Sequence, residues 1–508
     1  MFLSRKRSLT TFGIVLLGAG LAFAACGDDD DETPANSNPG GDSGGGDSGG
    51  DGDGGGNGGT EDPNDLAQLR LVLETNADIA LAAYSDSVST VEALQTAIDA
   101  LVAAPSGETL AAAREAWLVA REPYGQTEVY RFRASPIDDT NYDPSDGEDG
   151  PEGNINAWPL GEALIDYVVR GDDFGVDELD VSGQSVGLDD GSNIINSEVT
   201  IDAALLENTA TADDERDVIA GYHAIEFLLW GQDLNMGGNA GEERDNTPGQ
   251  RPFTDFVNGV GCTNGPDAAT DATPCERRGL YLQVATEDLL DNLTTVRDAW
   301  ADGAPYRTAF TTVDTLDAAK GRLLEILTGM GTLSEGELAG ERMQIALSAN
   351  SQEDEHSCFS DNTHRDIFLN AEGVSNSYFG VYAGYDSTLD GSDDVTTRAV
   401  DGYGIDDYLE DIGQTSLATD VAAAFAATTA DVTALDATVR GGMPIDVLIT
   451  NATGEDAAPM RDSIVSLNAQ SALIARIATD LDIGDASDVV DPDASECDTT
   501  DPTTECGG

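Results

Sequence analysis

The stretch Gly221-Tyr222-His223-Ala224-Ile225-Glu226-Phe227-Leu228-Leu229-Trp230-Gly231 constrains the fold more than any other part of the chain. With Val218 and Ile219 before it, it reads as a buried helix with almost no polar face. Two ionisable residues sit inside it. At 100° per residue Ile219, His223, Glu226 and Trp230 share one side, and three-residue spacing sets the imidazole beside the carboxylate. Such groups are costly in apolar surroundings unless something satisfies them. One reading is a core histidine hydrogen-bonded to its own glutamate. The other is a metal or substrate site, because His and Glu at i, i+3 can share one cation.

The remaining chain is read in order as helices. Asn64 to Ala104 is rich in Ala and Leu at helical spacing and is expected to break near Ser85 to Ser89. Thr109 to Arg133 forms a further helix, kinked or broken at Pro123, with an ion pair expected between Glu128 and Arg131. Asp143 to Gly150 has the oxygen density of a calcium loop without the EF-hand spacing, and is read as a solvated loop. Asn156 to Val169 predicts a short helix anchored by Trp158, and Gly171 to Ile201 a short hairpin. Cys275 to Trp300 is a long amphipathic helix. Leu316 to Met330 and Ser334 to Leu347 follow, with Gly329 and Gly331 as stops. Ser351 with Asp354 reads as a capping box that starts a helix through His364. Ile405 to Gly413, Gln414 to Val439 and Gly454 to Leu481 continue the pattern. Sustained alternation is almost absent, so the expectation is an all-α fold. The length beyond residue 63 favours two helical-bundle domains, 64–303 and 304–484, with an acidic tail at 485–508.

Several blocks resemble the imelysin-like family and its GxHxxE signature. They are Ala116-Trp117 with Arg121-Glu122-Pro123-Tyr124-Gly125-Gln126-Thr127-Glu128, Arg131-Phe132 and Ile137-Asp138. They continue with Ile155-Asn156-Ala157-Trp158-Pro159-Leu160, Ile165-Asp166-Tyr167-Val168 and Glu337 to Met343, and end with Glu353 to His364. In order, they cover about Asn64 to Gly484. The resemblance implies two helical bundles with the site at their interface, a pocket lined by Tyr124, Glu128, Arg131, Trp158 and Ser360, and an envelope role associated with iron uptake.

The ends place the chain in a compartment. Arg5, Lys6 and Arg7, the apolar run from Phe12 and the small residues Ala24-Ala25 before Cys26 read as a lipoprotein signal peptide, residues 1–25. Cys26 would then anchor the mature protein to the lipid bilayer of a bacterial envelope. Residues 26–63 are dominated by Gly, Asp and Ser and are expected to form a disordered tether, with a root-mean-square reach of roughly 35 Å. A net charge of −72 argues against nucleic acid as a partner, since no basic patch is available to release counterions. Cysteine use fits an oxidising compartment. Cys262 and Cys275 bracket a Gly/Pro/Thr loop and are expected to pair, as are Cys497 and Cys506; a loop of ~15 residues closed this way contributes about 3 kcal/mol in the chain-entropy model. Cys358 is left as a buried, inert thiol.

All three histidines fall in two of the family-like blocks. On a continuous helix His356, Ser360 and His364 form one stripe. His223, Glu226, His356, Asp361 and His364 together make a mixed N/O set suited to iron or zinc, or else a buried polar network that joins the bundles. Two function classes follow: a binding protein for iron or an iron-related ligand with uptake partners in the envelope, or an imelysin-type metallopeptidase using HxxE. The second lacks the adjacent glutamate of H-E-x-x-H that activates zinc-bound water. A structural surface lipoprotein without a ligand is the third alternative.

Overall fold

The computed structural model describes residues 63–140, 150–168, 179–181, 184–186, 192–209, 218–234, 244–265, 267–490, 497, 501–504 and 506. The segments expected to be a signal peptide and a tether, and nearly all of the Asp143–Gly150 loop, lie outside the described residues. The described residues begin with α1 (Pro63–Ala103), followed by α2 (Gly107–Gly125), a 3-10 turn (Glu128–Tyr130), and the single turns α3 (Glu152–Ile155) and α4 (Glu162–Ile165). A two-stranded hairpin (Leu179–Val181 with Gln184–Val186) lies where one was expected. Next come α5 (Ala203–Thr209), α6 (Gly221–Trp230), α7 (Thr273–Ala299), α8 (Pro305–Thr311) and α9 (Leu316–Thr332). A π-helical stretch (Leu333–Ile345) runs on from α9 into α10 (Ala346–Ala349). The last elements are α11 (Thr363–Phe379), α12 (Ile405–Asp411), α13 (Thr415–Arg440), α14 (Ile445–Ile449), α15 (Ala458–Asp480) and α16 (Ala486–Val489).

The fold is all-α, and its helices pack in two groups. One gathers α2, α3, α5 and α6 around α7; the other gathers α9, the π stretch, α11, α12 and α13 around α15. They meet where α11 lies against α2 and the 3-10 turn. α1 backs this seam: Asn76 reaches Ser377 and buried Asp86 accepts from Tyr382. Residues 64–507 form one compact unit with a shared apolar core.

α1 does not break at its serines. Ser85, Ser87 and Ser89 donate to the carbonyls four residues back, at 2.5, 2.9 and 2.9 Å. The hydroxyls are thus spent inside the helix instead of competing with it. Gly329 and Gly331 do not stop α9 either. A Cβ on Gly329 would lie 2.4 Å from the Val129 carbonyl oxygen, and one on Gly331 2.6 Å from the Val489 side chain. Both glycines serve close helix packing in mid-element. α2 ends at Gly125, two residues past Pro123, and only a separate 3-10 turn (Glu128–Tyr130) follows, so the expected helix does not reach Arg133. Asn156 is non-helical between α3 and α4, where Pro159 and Gly161 interrupt the expected helix. Both expected disulfides are present, Cys262–Cys275 and Cys497–Cys506, and Cys358 is buried and free.

Candidate functional site

Every residue of α6 is buried. Its two framing glycines have left-handed backbone, φ +77° at Gly221 and +72° at Gly231. A Cβ on Gly221 would also come within 2.4 Å of the Ile155 carbonyl oxygen. Glycine therefore opens this motif because the helix begins against the backbone of α3. The next turn presents His223 and Glu226 to the seam between the helix groups. His223 Nδ1 lies 3.0 Å from Glu226 Oε2.

The partner of α6 is the segment 351–362, and it is irregular rather than helical. Its backbone is held from outside: Ser360 N–H donates to Glu226 Oε1 at 2.9 Å, Gly249 N–H to the Phe359 carbonyl, and Trp158 Nε1–H to the Glu355 carbonyl. The expected Ser351 capping box is absent, and α11 starts only at Thr363. The stripe of His356, Ser360 and His364 therefore does not form. His356 turns to His223, with Nε2 to Nε2 at 3.3 Å and rings edge-on. His364 turns away, its Nε2 lying 3.5 Å from Asp436. Asp361, at φ +61°, has Asp446 and Asp245 as its charged neighbours.

Beyond the imidazole pair the array continues. His356 Nδ1 is 2.8 Å from Asp366 Oδ2, and Asp366 Oδ1 accepts from Arg121 at 2.9 and 3.1 Å. Arg121 also donates to Asn156, whose amide nitrogen lies 3.3 Å from Glu128 Oε1 and 3.4 Å from His356 Nε2. Arg342 pairs with Glu128 at 2.6 Å. Glu128 therefore does not pair with Arg131, which is drawn to Glu152 at 3.3 Å. Of the other expected pocket residues, Trp158 packs edge-on to His356 and Ser360 caps Glu226. Tyr124 packs behind, its ring tilted against that of Tyr222 with centroids 4.8 Å apart.

Burial sets the charges. It pushes both imidazoles below their usual value, His223 well below, with the facing charges of His356 on His223 and Arg342 on His356 adding to it. Burial also raises Glu226 to about 8. Asp366 goes the other way: burial would raise it, but Arg121 and His356 hold it well below the carboxylate range. The same conflict leaves Glu128 at about 2, won by Arg342 and His356. A consistent proton assignment follows. Anionic Asp366 takes His356 Nδ1–H, leaving a lone pair on His356 Nε2. His223 Nε2–H can point at that lone pair, and protonated Glu226 then donates to His223 Nδ1. One proton separates this state from the one in which both Nε2 lone pairs face each other.

Asp366, Arg121 and Asn156 were not among the site residues expected from sequence. Arg121 carried a signal, being a guanidinium in an apolar helix that needs a carboxylate. Asp366 carried none, because its approach to His356 depends on the irregular segment before it. Among the described residues, no three His, Cys, Asp or Glu side chains are disposed to hold a metal ion. Of the five expected ligands, the structure brings together His223, Glu226 and His356 and separates Asp361 and His364.

Comparison with known proteins agrees with this architecture. The sequence model of the imelysin family matches residues 80–474. No curated protein matches the chain. Among solved structures, a protein described as an iron-regulated protein A precursor from Parabacteroides distasonis is similar at 16% identity and a TM-score of 0.50. That match covers 80% of this chain and 94% of the other. An imelysin-like protein from Psychrobacter arcticum matches at 16% identity and TM-score 0.46, covering 82% of this chain and 98% of its own.

Proposed function

The chain belongs to the imelysin family, and from that premise we propose that it is an envelope protein that binds an iron-related cation through His223 and His356. The observation that carries this reading is the imidazole pair itself. Two nitrogens bound to one tetrahedral ion at about 2.1 Å stand roughly 3.4 Å apart, and the two Nε2 atoms are 3.3 Å apart. Each Nδ1 is already held by a carboxylate, the outer support that metal-bound imidazoles use. Glu226 is not available as a ligand, since Oε2 faces His223 and Oε1 is taken by Ser360. Two imidazoles are too few for a resident centre, so the ion's other positions belong to water or to groups that arrive with it as cargo. The same engagement of Glu226 weakens the peptidase alternative, because no carboxylate at the pair is left to activate water.

Calorimetric titration with Fe²⁺, Fe³⁺ and Zn²⁺ tests the proposal. The wild type should bind at least one of them with one-to-one stoichiometry, and His223→Ala should weaken binding tenfold or more, about 1.4 kcal/mol. Glu226→Gln should weaken it less. If the wild type binds none and His223→Ala simply melts earlier, the pair is a structural contact between the helix groups.

The envelope location rests on the lipoprotein-like start and Cys26. Among the described residues no helix is long and apolar enough to cross a membrane. Cys26→Ser should shift the protein from the membrane fraction to the soluble one without changing its melting temperature. Unchanged fractionation would remove the anchor.

A further inference from the structure

We infer that the chain holds a small monovalent anion, such as chloride, between the side chains of Arg133 and Trp300. Among the described residues six arginines are buried: Arg121, Arg133, Arg251, Arg278, Arg342 and Arg365. The other five each have a carboxylate oxygen within 2.9 Å. Arg133 has none within 4.0 Å among the described residues, in a chain that carries 96 acidic residues. Its Nε and Nη1 are buried without a hydrogen-bond partner, and Nη2 reaches only Asn76 Oδ1, at 3.5 Å. The indole nitrogen of Trp300, which is fully buried, has no partner either. Guanidinium and indole nitrogens only donate, and a guanidinium keeps its charge in any protein. Burial therefore leaves both groups in need of an acceptor, and Arg133 in need of a counter-charge.

The surroundings select the guest. Arg133 Cζ lies 5.1, 5.9 and 5.7 Å from the ring centroids of Tyr130, Trp300 and Phe310. Trp300 packs in turn on Tyr130 and Phe310, with centroids at 5.4 and 5.5 Å. The four side chains thus form one cluster where the 3-10 turn after α2 meets the end of α7 and α8. Ring faces offset part of the cation's charge, but they give its in-plane N–H groups no lone pair. Tyr130 supplies no counter-charge: burial raises its pKa, and its hydroxyl donates to the Asn76 carbonyl at 3.3 Å. A water molecule would accept from these donors, yet it would leave the charge uncompensated and bring hydrogens of its own to satisfy. A small anion answers both needs, charge and lone pairs. The cluster shares no residue with the imidazole pair, and its occupancy does not depend on what that pair binds.

The experiment is chloride titration of the full chain, read from the broadening of the chloride nuclear magnetic resonance line. It is paired with thermal melts in sodium chloride and in sodium gluconate at equal sodium concentration. The wild type should show saturable broadening and melt a few degrees higher in chloride. Both salts screen the acidic chain alike, so the difference reports the anion and not the ionic strength. Arg133→Met should abolish saturable binding, and it should not lower the melting temperature in gluconate, since it removes a buried charge that has no partner there. Trp300→Phe keeps an aromatic ring and removes the donor, and should weaken chloride at least tenfold. A water molecule in place of the anion would leave the two wild-type melts equal. The inference is overturned if the wild type shows no saturable binding or melts alike in the two salts, or if binding survives undiminished in Arg133→Met or in Trp300→Phe.

Discussion

Asp366 receives Arg121 on one oxygen, through Nε and a terminal nitrogen, and His356 Nδ1 and Ser357 Oγ on the other. Those donors come from α2 and from the irregular segment 351–362, so one carboxylate ties the two helix groups together and fixes the tautomer of His356. Its neighbour Arg121 is completely buried and lies over the rings of Tyr222, Tyr124 and Trp117. Removing the carboxylate charge leaves that guanidinium in a low-dielectric site with only neutral amide oxygens as direct hydrogen-bond partners. Breaking one side of a buried pair costs about 3–5 kcal/mol, whereas replacing both sides with apolar groups is often neutral. Asp366→Asn should therefore cost about 3–5 kcal/mol in denaturant unfolding, and Arg121→Met combined with Asp366→Leu distinctly less than the sum of the single changes. A loss below about 1 kcal/mol for Asp366→Asn would mean that the pair is not what joins the groups.

At the scale of elements, the sequence was most legible where a helix has one uninterrupted apolar pattern. α7, α13 and α15 run within a few residues of their expected bounds because periodicity and terminal signals agree. The errors arise where a residue's local preference was settled by a partner that the pattern does not show, within the same helix or far from it in the chain. The serines of α1 look like a break until their hydroxyls are seen to bond within the helix. Gly329 and Gly331 look like stops until Val129 and Val489 lie against them. The segment 351–362 has a helical signature, yet its carbonyls and amides are bound by Trp158, Glu226 and Gly249 from three other places. The site was legible to the same degree. His223 and Glu226 share a helix, so their contact follows from spacing alone. His356 was found only as a member of a family-like block, and its true carboxylate, Asp366, could not be reached from a stripe that does not exist.

At the scale of the whole molecule, the acids set an unusual pH dependence. In one group burial wins: Glu162, Glu226 and Glu372 are raised to about 8, and Asp233 to about 9. A carboxyl with a raised folded pKa holds its proton more tightly in the folded state. Its contribution is fully present below the unfolded value near 4.5 and is lost as pH rises through 8. In a second group burial is outweighed by arginines, Arg342 at Glu128 and Arg278 with Arg251 at Asp166, and both carboxyls sit at about 2. Their contribution is present above the unfolded value and is lost as pH falls toward 2. Between these losses the two groups stabilise together only on the acid side of neutrality. Repulsion within a chain of formal charge −72 adds to the loss at high pH. It should also be screened, since the Debye length falls from ~10 Å at 0.1 M salt to ~3 Å at 1 M. Melting temperatures measured from pH 3 to 9 should therefore peak between about pH 4 and 6. Raising NaCl to about 1 M should lift the pH 8 value more than the pH 5 value. A maximum at pH 7 to 8, or a salt response equal at both pH values, would show that the buried acids are ionised in the folded chain and compensated there by partners other than their own protons.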